Sequence, residues 1–139
     1  MGLIFYWADL TEIRIGAGGW AYFNVPSMDP LEAYSKAFNF VEVNSTFYDV
    51  PPLVMVESWR RRVPFDFEFA IRCHRDLTHM YMLEPRDECF EIFNRMISIC
   101  KTLGAEILHL ETPASMEFSQ PRVSSIRDFF SSINAKGTQ

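Results

Sequence analysis

The nine residues Phe40-Val41-Glu42-Val43-Asn44-Ser45-Thr46-Phe47-Tyr48 begin as a buried β-strand and end in polar groups. Alternate strand residues share a face, so Glu42 and Asn44 point the same way and Val41 and Val43 the other. A carboxylate and an amide then stand where a core would place Val or Leu. Burying such groups is costly unless they meet a ligand or a polar network. The strand therefore reads as one wall of a site.

Further units of the same kind lie on both sides. Residues 12–18, with Ile13, Ile15 and Ala17 alternating against Arg14, Gly16 and Gly18, read as an earlier strand. Asp29-Pro30 marks a helix start, Asp as N-cap and Pro in the first turn, with Leu31, Tyr34 and Phe38 on one face. Pro51-Pro52 closes the loop after the central strand. A helix over 53–62 follows, with Val56 and Trp59 facing inward. Residues 68–73 read as a strand with Phe67, Phe69 and Ile71 on its apolar side, and residues 74–79 as a polar loop. The longest predicted helix is 85–103, where Cys89, Ile92, Phe93, Met96, Ile99, Cys100 and Leu103 recur at helical spacing and Gly104 is the stop. A strand over 106–110 and a helix over 124–134 complete the pattern.

Strand and helix alternate, which implies an α/β protein with a mainly parallel sheet. A doubly wound sheet and a (β/α) barrel both fit. Polar residues gather after the C-terminal end of each strand, as at barrel sites, and no GxGxxG or Walker-type loop follows a strand. Both features favour the barrel.

Composition narrows the function classes. Of the 139 residues 48% are hydrophobic and 15% aromatic, enough for one domain with a real core. A net charge of -5 argues against capture of long nucleic acid by the whole chain. Arg60-Arg61-Arg62 is a local exception that reads as a solvated helix end complementing the helix dipole. Cys73, Cys89 and Cys100 form no CxxC pair and fit buried thiols in a reduced, cytoplasmic protein. The apolar run at the N-terminus is too short for a membrane span and has no basic region ahead of it, so no membrane association is expected.

Four segments resemble motifs of one family. Ile13-Arg14-Ile15-Gly16-Ala17-Gly18-Gly19-Trp20 is similar to its opening IRIGTSGW. Val41 to Tyr48 is similar to VEINSTFY. Phe69-Ala70-Ile71-Arg72 with Leu77-Thr78-His79 resembles FAVKAPRxxTH, and Leu110-Glu111-Thr112-Pro113-Ala114-Ser115 loosely resembles QLPPS. By these motifs the chain resembles the YecE-like family, also called domain of unknown function 72, over residues 12–134. The resemblance implies a TIM-type (β/α) barrel and no established catalytic set. Two departures stand out: the motif lysine is Arg72 and the motif glutamine is Glu111. A typical barrel needs about 250 residues. The expectation is therefore a half-barrel of about four β/α units, with an extension at 1–11 and a frayed tail at 135–139.

A lone half exposes sheet edges and an inner face. A homodimer or a separately encoded second half is expected to cover them. Parity places Glu42, Arg72 and Glu111 at the barrel mouth as candidate catalytic groups, with Glu42 and Arg72 expected to pair. Trp20, Asn44, Thr46, Tyr48, Thr78 and His79 are candidate substrate-binding residues. Trp20 also reads as a packing lid, and Asn44, Thr46 and Tyr48 also read as loop caps. His74 and His109 fall outside the family motifs and read as solvent or core residues.

Three functions fit this mouth. A hydrolase-type or phosphoester-processing enzyme would use Glu42 or Glu111 as base or as ligand to a divalent metal, and Arg72 as anion holder. A non-catalytic module would bind nucleic acid or an anionic small molecule. An assembly half would have no activity alone. No HxH or DxH pair supports a dense metal cluster, so the cofactor stays open.

Overall fold

A computed structural model describes residues 14–136. The predicted extension at 1–11, the start of the first predicted strand and the last three residues lie outside the described residues. Three strands, β1 (Phe40–Val43), β2 (Glu68–Arg72) and β3 (Ile107–His109), form a parallel sheet in the order β1-β2-β3. Four helices alternate with them: α1 (Pro30–Ala37), α2 (Leu53–Arg61), α3 (Asp87–Leu103) and α4 (Gln120–Lys136). The α/β class and the parallel sheet agree with the sequence reading.

The sheet is two-sided. Val41, Val43, Phe69, Ile71 and Cys73 are buried beneath the helices. There they join Leu31 and Tyr34 of α1, Val56 and Trp59 of α2, and Cys89, Met96, Ile99 and Leu103 of α3 in one apolar cluster. Burying each large aliphatic side chain stabilises the fold by about 1.5–3 kcal/mol. The α4 helix joins through Phe129, which stacks on Phe90 at 5.3 Å and meets Phe93 edge-on at 5.8 Å. On the opposite face, register sets Glu42 beside Ala70 and Arg72 beside His109.

The first predicted strand does not form over residues 14–18. The Glu42 amide donates to the Ala17 carbonyl at 3.1 Å, and one parallel bridge joins Gly18 to Glu42. Glycine explains both the approach and the weak pairing. A Cβ on Gly16 would lie 2.0 Å from the Phe40 carbonyl oxygen, and one on Gly18 would lie 2.2 Å from Asn44 Nδ2. Residues without side chains let the backbones meet but contribute no packing to a ladder.

Other boundaries follow from local chemistry. Asp29 caps α1, its Oδ1 accepting from the Leu31 and Glu32 amides at 3.0 and 3.2 Å. Gly104 ends α3 in the left-handed region, at φ 68°. The α4 helix starts four residues earlier than expected, where the Arg122 amide donates to Ser119 Oγ at 3.4 Å and Pro121 stands in the first turn. It also continues through Lys136, into the expected tail. Residues 76–80, expected as loop, form one turn of π-helix, Asp76–Met80.

The arginine triplet is a correction. Only Arg61 behaves as a surface residue, 3.6 Å from Glu57. Arg60 donates to the Phe67, Leu103 and Pro64 carbonyls and lies over the Phe69 ring, so it clamps α2 to the loops flanking β2 and α3. Arg62 reaches Asp29 Oδ2 at 2.9 Å. Burial pushes the Asp29 carboxyl up, but the amides it caps and the Arg62 guanidinium outweigh this and hold it below its ordinary 3.8. A carboxylate with a lowered folded value stabilises above its ordinary value, and the effect fades as pH falls through the folded one. Asp29→Ala is therefore expected to cost about 1 kcal/mol at neutral pH. Urea unfolding at several pH values should show this difference shrinking below pH 3.8.

Candidate functional site

Three cross-strand pairs run up the face of the sheet away from the helices. At the N-terminal end Arg14 donates to Glu68 at 2.9 Å. In the middle His109 Nδ1 lies 2.9 Å from Glu42 Oε2, the pair reaching from β3 to β1 across β2. The pair is diagonal: register puts Glu42 level with Ala70 and His109 level with Arg72, and the small Ala70 side chain leaves room beside Glu42. At the C-terminal end Arg72 pairs with Glu111, just beyond β3.

The expected Glu42–Arg72 pair is therefore a correction. Parity put Glu42, Arg72 and Glu111 on one face, as found, but each chose another partner. Arg72 and Glu111 are the two departures from the family motifs, and they contact one another. The guanidinium also lies 4.1 Å over the Phe47 ring, a cation–π contact that suits a planar cation. His109, read as a solvent or core residue, belongs to the row. The signal was available, because His109 and Glu111 share a side of β3.

The candidate substrate-binding residues divide. Phe47, which the sequence reading passed over, is a hub: Tyr48 and His79 each meet its ring edge-on at 5.0 Å. Tyr48 is 66% exposed. Thr46 is fully buried, its Oγ1 lying 2.7 Å from the Val43 carbonyl and 2.6 Å from that of Arg72. It ties the ends of β1 and β2 together. Thr78 is also buried, its hydroxyl 2.9 Å from His79 Nδ1. Trp20 packs edge-on against Trp59 at 5.3 Å, as a lid on the core would. Asn44 Oδ1 and Arg72 Nε are buried with no hydrogen-bond partner among the described residues. His74 Nε2 lies 3.3 Å from the Tyr48 carbonyl.

Among the described residues no group of three or more His, Cys, Asp or Glu could hold a metal ion. Cys73 faces the core, and burial pushes its thiol up to about 12. A cavity of about 570 Å³ opens at the N-terminal ends of β2 and β3, lined by Arg60, Phe65, Glu68 and Ile107 among others. Two of its polar groups are committed, Arg60 to carbonyls and Glu68 to Arg14. In α/β sheets ligands lie outside the opposite, carboxyl ends of the strands, where Arg72, His109 and Glu111 stand.

Fold and site thus define an α/β protein with a parallel sheet, helices on one face and paired charges on the other. The chain matches the family described as "protein of unknown function DUF72" across residues 14–137, and it belongs to that family. It is 32% identical over 81 residues to UPF0759 protein YecE of Escherichia coli strain K12, covering 58% of this chain and 30% of that protein. It is 30% identical over 89 residues to UPF0759 protein YunF of Bacillus subtilis, covering 59% and 32%. A solved DUF72 family protein from Enterococcus faecalis superposes with a TM-score of 0.65 at 17% identity, covering 89% of this chain and 46% of that one. Another, from Thermotoga maritima, gives 0.65 at 19% identity, covering 86% and 51%. The chain spans about a third of the curated relatives it matches and about half of the solved ones.

Two outcomes test this geometry. A double-mutant cycle on Arg72→Met and Glu111→Gln should give a coupling of about 0.2–1 kcal/mol, as for exposed ion pairs. Arg72→Lys alone should cost more than Glu111→Gln, because it also loses the Phe47 contact; equal costs would contradict the stacked arrangement. Cys73 should resist maleimide in the folded chain at neutral pH and react on unfolding. Its folded value is raised above the ordinary 9.0, so the stabilising effect of the neutral thiol is full below pH 9.0 and is lost as pH rises toward about 12.

Proposed function

We propose that the chain forms half of a TIM-type (β/α) barrel, and that the C-terminal ends of its strands hold an anionic ester for hydrolysis. The alternation of parallel strands and helices, and solved relatives about twice as long, support the barrel half. Cover for the open face comes from a complementary half, a second copy of the chain or a separately encoded partner. Among the described residues no helix is long and apolar enough to cross a membrane.

One observation carries the ester reading: Arg72 stands in register with His109 and two residues from the level of Glu42, on a face that no helix among the described residues covers. A guanidinium is suited to a phosphate or carboxylate. The neighbouring carboxylates, Glu42 and Glu111, belong to the polar set from which a base or the partner that positions it would come. A phosphate monoester is the class proposed, since its oxygens suit a guanidinium and its hydrolysis needs only a bound anion, water and proton transfer. Tyr48, His79 and Asn44 would line the approach of its organic part.

Light scattering of the purified chain should give a mass of two chains, or of one chain plus its complement when both are expressed together. The assembled species should hydrolyse p-nitrophenyl phosphate, and Arg72→Met should lower kcat/KM at least about 100-fold, consistent with loss of a charge-assisted contact to the transition state. Unchanged turnover in Arg72→Met would remove the ester reading. A monomer as active as the assembly would remove the need for a second half.

A further inference from the structure

Resting on the ester reading, we infer that His109 is the group that moves the proton, and that Glu42 is its positioning residue. Glu42 Oε2 lies 2.9 Å from His109 Nδ1, so the carboxylate accepts from the protonated Nδ1 of a neutral imidazole. That fixes the tautomer and leaves Nε2 as the lone-pair nitrogen. A carboxylate that orients one imidazole nitrogen while the other does chemistry is the geometry a general base requires.

Placement separates this pair from an ordinary surface contact. His109 is the last residue of β3, in register with Arg72 at the end of β2. Glu42 reaches it diagonally from beside Ala70, a small residue that is 2% exposed. The His109 side chain remains 44% exposed and Glu42 28%, so the imidazole is supported from the sheet and open on its outer edge. Of the other two histidines, His74 meets the Tyr48 carbonyl through Nε2 and the Asp76 amide through Nδ1. His79 is held by Thr78 and packs on Phe47. Of the three, only His109 combines a carboxylate partner within hydrogen-bond distance with a strand-end position beside Arg72.

The step balances without a further reactant. Water attacks the phosphorus of a monoester held by Arg72, and His109 Nε2 takes a proton as the new O–P bond forms. The bond from phosphorus to the leaving oxygen breaks on the opposite side, that oxygen takes a proton from solvent, and the imidazolium releases its own proton to solvent. The products are an alcohol and inorganic phosphate. Glu42 stays ionised and stabilises the imidazolium while it lasts.

The dyad is tested on the full chain without any substrate. Nitrogen-15 spectra of the imidazoles should show His109 held in the Nδ1-protonated tautomer, and Glu42→Gln should return it toward the Nε2-protonated form common in water. Diethyl pyrocarbonate, followed by peptide mass spectrometry, should modify His109 faster than His74 or His79. Glu42→Gln should slow His109 several-fold and leave the other two unchanged. An Nε2-protonated His109 in the wild-type chain, or a His109 rate indifferent to Glu42→Gln, would overturn the dyad. With p-nitrophenyl phosphate, His109→Gln should lower kcat about 100-fold or more with little change in KM. Unchanged kcat would overturn the catalytic role. A dyad seen spectroscopically in a chain that hydrolyses nothing would instead sink the ester reading and leave the geometry standing.

Discussion

The two-sidedness of β1 and β2 is the constraint on which the rest of the molecule depends. Val41, Val43, Phe69 and Ile71 must face one way, because among the described residues that is the face covered by helices. Backbone alternation then leaves no choice for Glu42, Ala70 and Arg72, which must face the other. A one-residue slip of either strand would bury the charges and expose the aliphatics. The charged row is the obligatory complement of the core, and its spacing is set by the same pleat.

Thr46 shows how this constraint reaches the loops. Its hydroxyl binds the last carbonyls of two neighbouring strands, where the ladder has run out of partners. Unpaired carbonyls there would each carry a desolvation penalty of about 1–3 kcal/mol. With the strand ends held together, Phe47 follows directly and presents its ring beneath the Arg72 guanidinium. One buried hydroxyl thus fixes the platform on which the candidate anion holder rests. That accounts for a threonine in a position where a substrate contact was expected.

Local chemistry was legible in the sequence, and partner choice was not. Asp29-Pro30 and Gly104 announced their helix ends because capping is decided within a few residues. Ser119 and Pro121 carried the same kind of signal for α4 and were passed over in favour of the apolar positions further along. Alternation put Glu42, Arg72, His109 and Glu111 on faces correctly. It could not say which pairs would form, because that depends on register between strands separated by helices. Arg60 and Arg62 looked like solvent-facing charge because a sequence shows net charge readily and unpaired carbonyls not at all. Gly16 and Gly18 were read as positions of a strand, and it is their smallness that lets this segment approach Phe40 and Asn44.

The pairing of Arg72 with Glu111 bears on how the polar face tolerates change. Lysine and glutamine in the family motifs make a net charge of +1 at these two positions; arginine and glutamate make zero. The exchange neutralises the C-terminal end of the row while keeping a donor aimed across it. A guanidinium can meet the carboxylate through one nitrogen, stack on Phe47 and still keep Nε for another acceptor, whereas an ammonium is a compact point charge with no planar face to stack. The two differences from the motifs are therefore one difference in physical terms. Each makes sense only with the other, since a lone Glu111 would leave a carboxylate beside the strand ends without a cation, and a lone Arg72 would carry unbalanced charge next to His109. What the exchange preserves is a cationic donor at the end of β2, held in place by an aromatic ring on one side and a carboxylate on the other.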